Sequence, residues 1–342
     1  MAANTPNHLD DLLGHIEALL QAGEIDSAST ALALMRSDLR IEEFPDIAGR
    51  INTAEGCLSA YRGDWVTAKD KLLRALALSK LRPRVGQALL AEAWLAYVEF
   101  NMGELQSSAD RSRRVIDMST TSDTMARFRS ATVLASLYHL ANLDRDGERW
   151  FNFGRKEAEK IQNTSLTSAL MFDMVAMRVC AKRFNLLFRG VPHHGLEMDL
   201  LFARSSQNFD RYGGVSLLSS LHSLLEGQIL CLLGHYQDAD MALDQASKSS
   251  DLPGVSRAQA QLEAIYVKYK LGALADPVVT ASSLSLSMSD LIDDDDLAVY
   301  ATRASEVLRS VGLPGPAAEF QQQGTHAASR FMDWQREFGG TI

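Results

Sequence analysis

Two short segments contain residue types that could support chemistry. The segment His193-His194-Gly195-Leu196-Glu197 offers imidazole and carboxylate ligands for a metal ion. Adjacent histidines diverge on a helix, however, and zinc sites need ligands repeated at helical or loop spacing. Gly213-Gly214 follows no strand and precedes no lysine, so a phosphate-binding loop is excluded. We therefore expect a solvated loop at 193–197 and no metal site.

A run of four aspartates is the next candidate. Asp293-Asp294-Asp295-Asp296 resembles the aspartate motif of all-helical isoprenoid synthases, which bind diphosphate through magnesium. That motif has a carboxylate one helical turn beyond its leading pair, where this chain has Leu297, and no second aspartate cluster exists. Carboxylates favour a helix N-terminus, so we interpret the run as the charged start of a helix. Since no Ser/His/Asp set can be assembled either, the sequence predicts no catalytic residue, no cofactor and no enzyme activity.

The composition is typical of a folded, soluble protein. The chain is 46% apolar and 23% charged, and its net charge of −9 argues against nucleic-acid binding. No apolar run approaches the roughly 18 residues of a membrane helix, and the N-terminus lacks the pattern of a signal peptide. The three cysteines lie far apart in apolar helical runs, as in a reducing compartment. We predict a cytoplasmic protein that contacts neither nucleic acid nor membrane.

A turn motif recurs along the chain at nearly constant spacing. Apolar helical runs are interrupted at Gly23, Gly63 and Gly103, 40 residues apart, and at Gly234 and Gly272, 38 apart. A period of about 20–50 residues is typical of a helical solenoid or array. The sequence therefore predicts stacked helix pairs, whose usual function is to hold other molecules on an extended surface.

Less regular turns complete this register. We place them at Asn142-Leu143-Asp144, at Arg183-Phe184-Asn185 and at Gly312-Leu313-Pro314, with a loop insertion near 189–195. Eight helix pairs follow, or about sixteen helices, ending in a capping helix at about 315–338. We interpret the alternating segment 283–289 as a poor helix or loop, because no partner strand is evident. The prediction is one all-α domain spanning residues 1–342.

Two of the turns match a known repeat in more detail. Gly56, Gly63, Trp65, Ala68 and Ala75 recur at the same offsets as Gly227, Gly234, Tyr236, Ala239 and Ala246. This pattern resembles the tetratricopeptide repeat (TPR), in the long-period form found in sensor arrays of bacterial regulators. The resemblance implies a right-handed superhelix of antiparallel helix pairs that binds proteins or peptides.

The resemblance also implies where a partner would bind. In this superfamily the first helix of each pair lines the concave groove. Counting from each turn, the residues expected to line it are Arg50, Thr53, Tyr97, Phe100, Asn101, Arg129, Ser136, His139, Asp173, Gln228, Tyr266, Tyr269 and Lys270. Whether their aromatic rings face the groove or pack between repeats stays open at this point.

These observations favour a non-enzymatic scaffold for a protein or peptide partner, with a regulatory or sensory role. The alternative is an all-α enzyme or small-ligand receptor with a pocket near the 189–195 loop. A third possibility concerns the last helix, where Phe331, Trp334 and Phe338 form an apolar stripe. That stripe covers the end of the array within the chain, or pairs with a second copy in a homodimer.

Overall fold

A computed structural model describes residues 6–38, 45–80, 85–191, 194–213, 218–249, 252–274, 276–289, 291 and 293–340. These residues form helices and short connections, without a strand. The helices are α1 (Pro6–Ala22), α2 (Ile25–Asp38), α3 (Pro45–Tyr61), α4 (Trp65–Ser79), α5 (Val85–Asn101), α6 (Leu105–Met118), α7 (Thr124–Leu140), α8 (Asp144–Ile161), α9 (Thr164–Arg189), α10 (Leu196–Gly213), α11 (Ser219–Leu232), α12 (Tyr236–Ser247), α13 (Gly254–Lys270), α14 (Pro277–Met288), α15 (Asp294–Ser310) and α16 (Pro314–Gly340). Across the described part of the chain they make eight consecutive pairs, which confirms the predicted all-α helical repeat.

Most predicted turns lie where the glycine pattern placed them. Gly63 has φ +74°, and its N–H donates to the carbonyl of Ala60 (3.0 Å) while Asp64 N–H donates to that of Ser59 (2.9 Å). This paired arrangement closes a helix and needs a left-handed residue, which glycine adopts without a steric penalty. Asn142 adopts φ +60° at the fourth turn, as predicted. The segment 283–289 lies mostly within α14, so it is helical.

One predicted turn is wrong. Arg183, Phe184 and Asn185 lie inside the continuous 26-residue helix α9, and the fifth pair turns instead at the 190–195 connection. Gly190 (φ +61°) begins that connection, and Gly195 (φ +80°) directly precedes α10. The segment predicted as an insertion near 189–195 therefore falls between α9 and α10, and the insertion itself stays a prediction.

Small residues in the first helices permit close packing within a pair. A Cβ atom added to Gly56 would lie 2.7 Å from Leu72 Cγ, and one added to Gly227 would lie 2.7 Å from Leu243 Cγ. Both leucines are fully buried. The two positions that carry the TPR resemblance thus perform the same packing role in α3–α4 and in α11–α12.

The chain divides into two compact units. Unit 1 comprises Met1–Leu137 and Arg145–Leu170, and unit 2 comprises Tyr138–Asp144 and Met171–Ile342. In unit 1, one large hydrophobic cluster joins α1 to α5, with Leu13, Ile16, Ile51 and Leu72 at its centre. The prediction of a single domain stays a prediction.

The aromatic stripe of α16 is covered within unit 2. Phe331 and Phe338 are 1% and 0% exposed. The Phe331 ring packs on Phe184 of α9 at 4.8 Å between centroids, and Phe338 packs on Tyr138 at 5.1 Å. The predicted segment 315–338 lies within α16, and its role as a cap of the array stays a prediction. A homodimer through this helix stays a prediction.

Candidate functional site

All thirteen residues predicted to line a groove lie on the first helices of their pairs, α3, α5, α7, α9, α11 and α13. Three of them, Ser136, His139 and Gln228, are buried, and the other ten are half-buried. Residues up to Ser136 in this set belong to unit 1, and those from His139 onward belong to unit 2. Their role in binding a partner stays a prediction.

Several of the polar members of this set donate hydrogen bonds to the backbone of their own helix. The Thr53 hydroxyl donates to Gly49 O (3.1 Å), the Asn101 amide to Tyr97 O (2.8 Å), and the Ser136 hydroxyl to Thr132 O (3.1 Å). Such bonds to the preceding turn satisfy the side-chain donor locally. The aromatic and charged members are therefore the stronger candidates for contacts with a partner.

In unit 1 an arginine lies over two aromatic rings. The Arg129 guanidinium is 3.6 Å from the Trp94 ring centroid and 5.2 Å from that of Tyr97. The two rings meet edge to face at 5.8 Å. Nearby on α3, Arg50 binds Glu17 of α1 (Nη2–Oε2 3.0 Å). Trp94 is buried, so the half-buried Tyr97 and Arg129 are the members of this group suited to contacts with aromatic or acidic groups.

In unit 2 the predicted residues Tyr266, Tyr269 and Lys270 come together with Glu306 of α15. Lys270 Nζ lies 4.9 Å and 4.8 Å from the two tyrosine ring centroids and 2.6 Å from Glu306 Oε1. Burial disfavours the charged amine, but the bonds to Glu306 and Tyr266 outweigh it and raise the pKa of Lys270. The Lys270 and Glu306 side chains remain 26% and 41% exposed. We call Tyr266, Tyr269, Lys270 and Glu306 the tyrosine–lysine patch.

Sequence reasoning missed a buried ionic network in unit 2. Arg183 of α9 pairs with Glu263 of α13 (3.3 Å) and with Asp296 of α15 (3.3 Å), and Glu263 also binds Arg303. The Arg183 guanidinium lies 4.7 Å from the Tyr300 ring centroid. All five residues are at most 7% exposed. The network joins the first helices of three different pairs.

Charge pairing inside the network controls the ionisation of Glu263. Burial alone would raise the pKa of Glu263, but the guanidiniums of Arg303 and Arg183 more than offset it and hold that pKa below its usual value. Glu263 is therefore ionised at neutral pH. The sequence signal was weak, although Glu263 shares one face of α13 with buried Ala260 and Val267.

The aspartate run starts α15, as predicted, with Asp293 at the N-cap. The run is less solvated than a charged helix start usually is, since Asp295 and Asp296 are 9% and 7% exposed. Burial and the neighbouring carboxylate of Asp296 raise the pKa of Asp295 to about 7. Burial and the same carboxylates raise the pKa of the Cys180 thiol well above its usual value.

The histidine pair predicted to form a solvated loop is only partly described. His193 lies outside the described residues, and His194 is exposed. Leu196 and Glu197 belong to α10, where Leu196 is buried, so the loop is shorter than expected. Of the rejected glycine pair, Gly213 ends α10 and Gly214 lies outside the described residues. Among the helices that the structure describes, none combines the length and apolar composition needed to span a bilayer.

Comparison with solved structures identifies the architecture. The Rap conjugation gene regulator of plasmid pLS20, in complex with the Phr* peptide, matches at TM-score 0.63 and 11% identity, over 95% of this chain and 96% of that one. A Rap protein complexed with Competence and Sporulation Factor matches at TM-score 0.64 and 12% identity, over 96% and 99%. The fold is TPR-like.

A third Rap structure also matches the fold, whereas the sequence comparisons find no relative. The apo form of RapI matches at TM-score 0.52 and 10% identity, over 83% of this chain and 98% of that one. No protein-family model and no curated protein matches the sequence. At identities of 10–12% the similarity is one of fold alone.

Proposed function

We propose that this TPR-like chain is a non-enzymatic regulatory scaffold that binds a peptide segment on the first-helix faces of its repeats. The observation that carries the proposal is the shared fold with two Rap structures that contain a bound factor, over 95–96% of this chain. Rigid aromatic rings with adjacent cations favour such capture, because they bury area at a small entropic cost.

The tyrosine–lysine patch is the proposed centre of the contact in unit 2. Glu306 holds Lys270 against both tyrosine rings, so little side-chain entropy is lost from Lys270 when a partner binds. The rings pack on a hydrophobic cluster of α13–α16 while they remain half-buried, which leaves part of each available to a ligand. In unit 1, the half-buried Arg129 and Tyr97 provide a smaller surface, because Trp94 beneath them is only 5% exposed.

The proposed setting is a reducing cytoplasm, with no nucleic acid or membrane as partner. Cys57, Cys180 and Cys231 are free thiols, and the net charge of −9 offers little general attraction to a polyanion. A homodimer remains an alternative use of the array.

Selection from a library of displayed short peptides tests the proposal. We expect the full chain to enrich peptides that bind saturably at one site, and Tyr269→Ala or Lys270→Ala to weaken them about tenfold or more. Tyr212→Ala is the matched control, because Tyr212 is 94% exposed on α10, a second helix. Failure to enrich any peptide, or equal loss with Tyr212→Ala, would contradict the proposal.

A further inference from the structure

A group of metal-ligating side chains converges where α9 meets the start of α15, apart from the tyrosine–lysine patch. The Cys180 sulfur and carboxylate oxygens of Asp295 and Asp296 all lie within 4.8 Å of one another. Zinc is held in proteins by thiolate and carboxylate ligands at about 2.0–2.3 Å, so donors this close together can share one ion. Two helices of unit 2 supply the three donors.

A fourth carboxylate beside the group lacks a partner. The buried Oδ1 atom of Asp293 has no hydrogen-bond partner within the described residues. Burial and the nearby carboxylates of Asp295 and Asp296 raise the pKa of Asp293 well above its usual value, and Asp293 in turn contributes to the raised pKa of Cys180. An acceptor buried without a donor loses its hydration without compensation, and the cost is larger when the group is charged. A bound cation would satisfy this oxygen directly or through a coordinated water.

The charge balance of the surrounding network points the same way. Three buried carboxylates, those of Asp295, Asp296 and Glu263, lie with two guanidiniums, those of Arg183 and Arg303, and the half-buried Asp293 lies beside them. The remaining member of the run, Asp294, is not part of this count because it pairs with Arg330 at the surface. Carboxylates therefore outnumber guanidiniums in this part of unit 2, which provides acceptor oxygens for a cation without an equal number of positive groups to repel it.

The neighbours of Asp296 are arranged to hold that carboxylate in place. Gln259 of α13 donates to Asp296 Oδ2 (2.5 Å), and Arg183 donates to Oδ1 (3.3 Å). Hydrogen bonds of this kind orient the ligating carboxylates of metal sites. Each carboxylate oxygen has two lone pairs, so Asp296 can accept these bonds and still bind an ion.

We propose that Cys180, Asp295 and Asp296, with Asp293 beside them, form a binding site for one Zn²⁺ ion. The thiol favours zinc over magnesium or calcium, which prefer oxygen ligands. On binding, Cys180 loses its proton to solvent and becomes a thiolate ligand. The ion links α9 to α15 across 113–116 residues of sequence and thereby fixes the first pair of unit 2 against the fourth.

Metal titration of the chelator-treated full chain tests the site. We expect equilibrium dialysis to find one Zn²⁺ per chain, and Co²⁺ to give the near-ultraviolet charge-transfer absorption of a cobalt–thiolate bond. Cys180→Ser should abolish that absorption and weaken Zn²⁺ binding at least tenfold. Gln259→Ala, which removes a positioning residue, should weaken binding about tenfold while the absorption remains.

Cys57→Ser is the matched control, because Cys57 is a buried thiol in unit 1. It should leave both stoichiometry and absorption unchanged, and circular dichroism should show that every variant keeps the helical content of the wild type. Absence of stoichiometric zinc would overturn the proposal. So would an absorption band that persists in Cys180→Ser, or binding that Asp295→Asn leaves intact.

Discussion

Arg183 and Glu263 form an ion pair with a 3.3 Å nitrogen–oxygen distance, although they lie 80 residues apart and their side chains are 1% and 0% exposed. The pair joins α9 to α13 in the interior of unit 2. Such a pair adds little stability compared with apolar packing, but removing one member leaves a buried charge without a partner.

Glu263→Gln should destabilise the protein by about 3 kcal/mol, because Arg183 and Arg303 both lose a charged partner in a buried site. Urea denaturation followed by circular dichroism measures the change. Lys248→Gln is the matched control, since the Lys248–Asp244 pair is 72% and 59% exposed. The control should change stability by less than about 0.5 kcal/mol. Equal effects would mean that the buried network does not contribute as described.

Stability should also depend on pH through Glu263. Its pKa in the folded chain lies below the usual value, so its stabilisation is present above the unfolded pKa of about 4.3 and is lost as pH falls through the folded pKa. The wild type should therefore lose more stability than Glu263→Gln between about pH 5 and about pH 3. Denaturation at several pH values measures this, and parallel curves for the two proteins would contradict it.

Gly56→Ala and Gly227→Ala should each cost about 1–3 kcal/mol, because the new methyl group would collide with Leu72 or Leu243 at 2.7 Å. Gly14→Ala in α1 is the control with the opposite expected sign, because no atom lies within 4 Å of the added carbon. That control should stabilise the protein by about 0.5–1 kcal/mol through helix propensity. Thermal unfolding of the three variants checks the contrast in sign.

Gln162→Gly should stabilise the protein by up to about 1 kcal/mol. Gln162 has φ +55° between α8 and α9, a conformation that costs a residue with a Cβ about 1–2 kcal/mol and costs glycine much less. The same change at Gln322, exposed inside α16, should instead destabilise by about 1 kcal/mol. If both variants change stability in the same direction, the left-handed conformation of Gln162 does not explain the effect of its substitution.

The regular part of the fold could be predicted because its signals are local. A glycine after an apolar run marks the end of a helix through its own backbone, so Gly63 and Gly234 identified their turns without reference to distant residues. Arg183-Phe184-Asn185 was misplaced for the opposite reason. Arg183 and Asn185 beside a phenylalanine resemble a polar turn in the local sequence. The buried partners of Arg183, which explain a charge inside a helix, are Glu263 and Asp296, 80 and 113 residues away.

The candidate site was predictable only in part. Helical spacing grouped Tyr266, Tyr269 and Lys270, which lie together in the structure, because all three share one face of α13. The local sequence pattern could not supply Glu306, which comes from the next pair. The local sequence around the aspartate run allowed a comparison only with a magnesium motif. The thiol that lies beside the run, Cys180, belongs to α9 and could not be associated with it from the sequence.

The contact between Gly56 and Leu72 limits where this chain can change in length. Adding one residue to the three-residue link at Gly63 would rotate α4 by about 100° relative to α3, carrying Leu72 away from the gap that Gly56 leaves for it. The same holds for Gly227, Gly234 and Leu243. Insertions and deletions should therefore be tolerated between helix pairs and not within them. Each helix pair is accordingly the unit that could be duplicated or transplanted without loss of its internal packing.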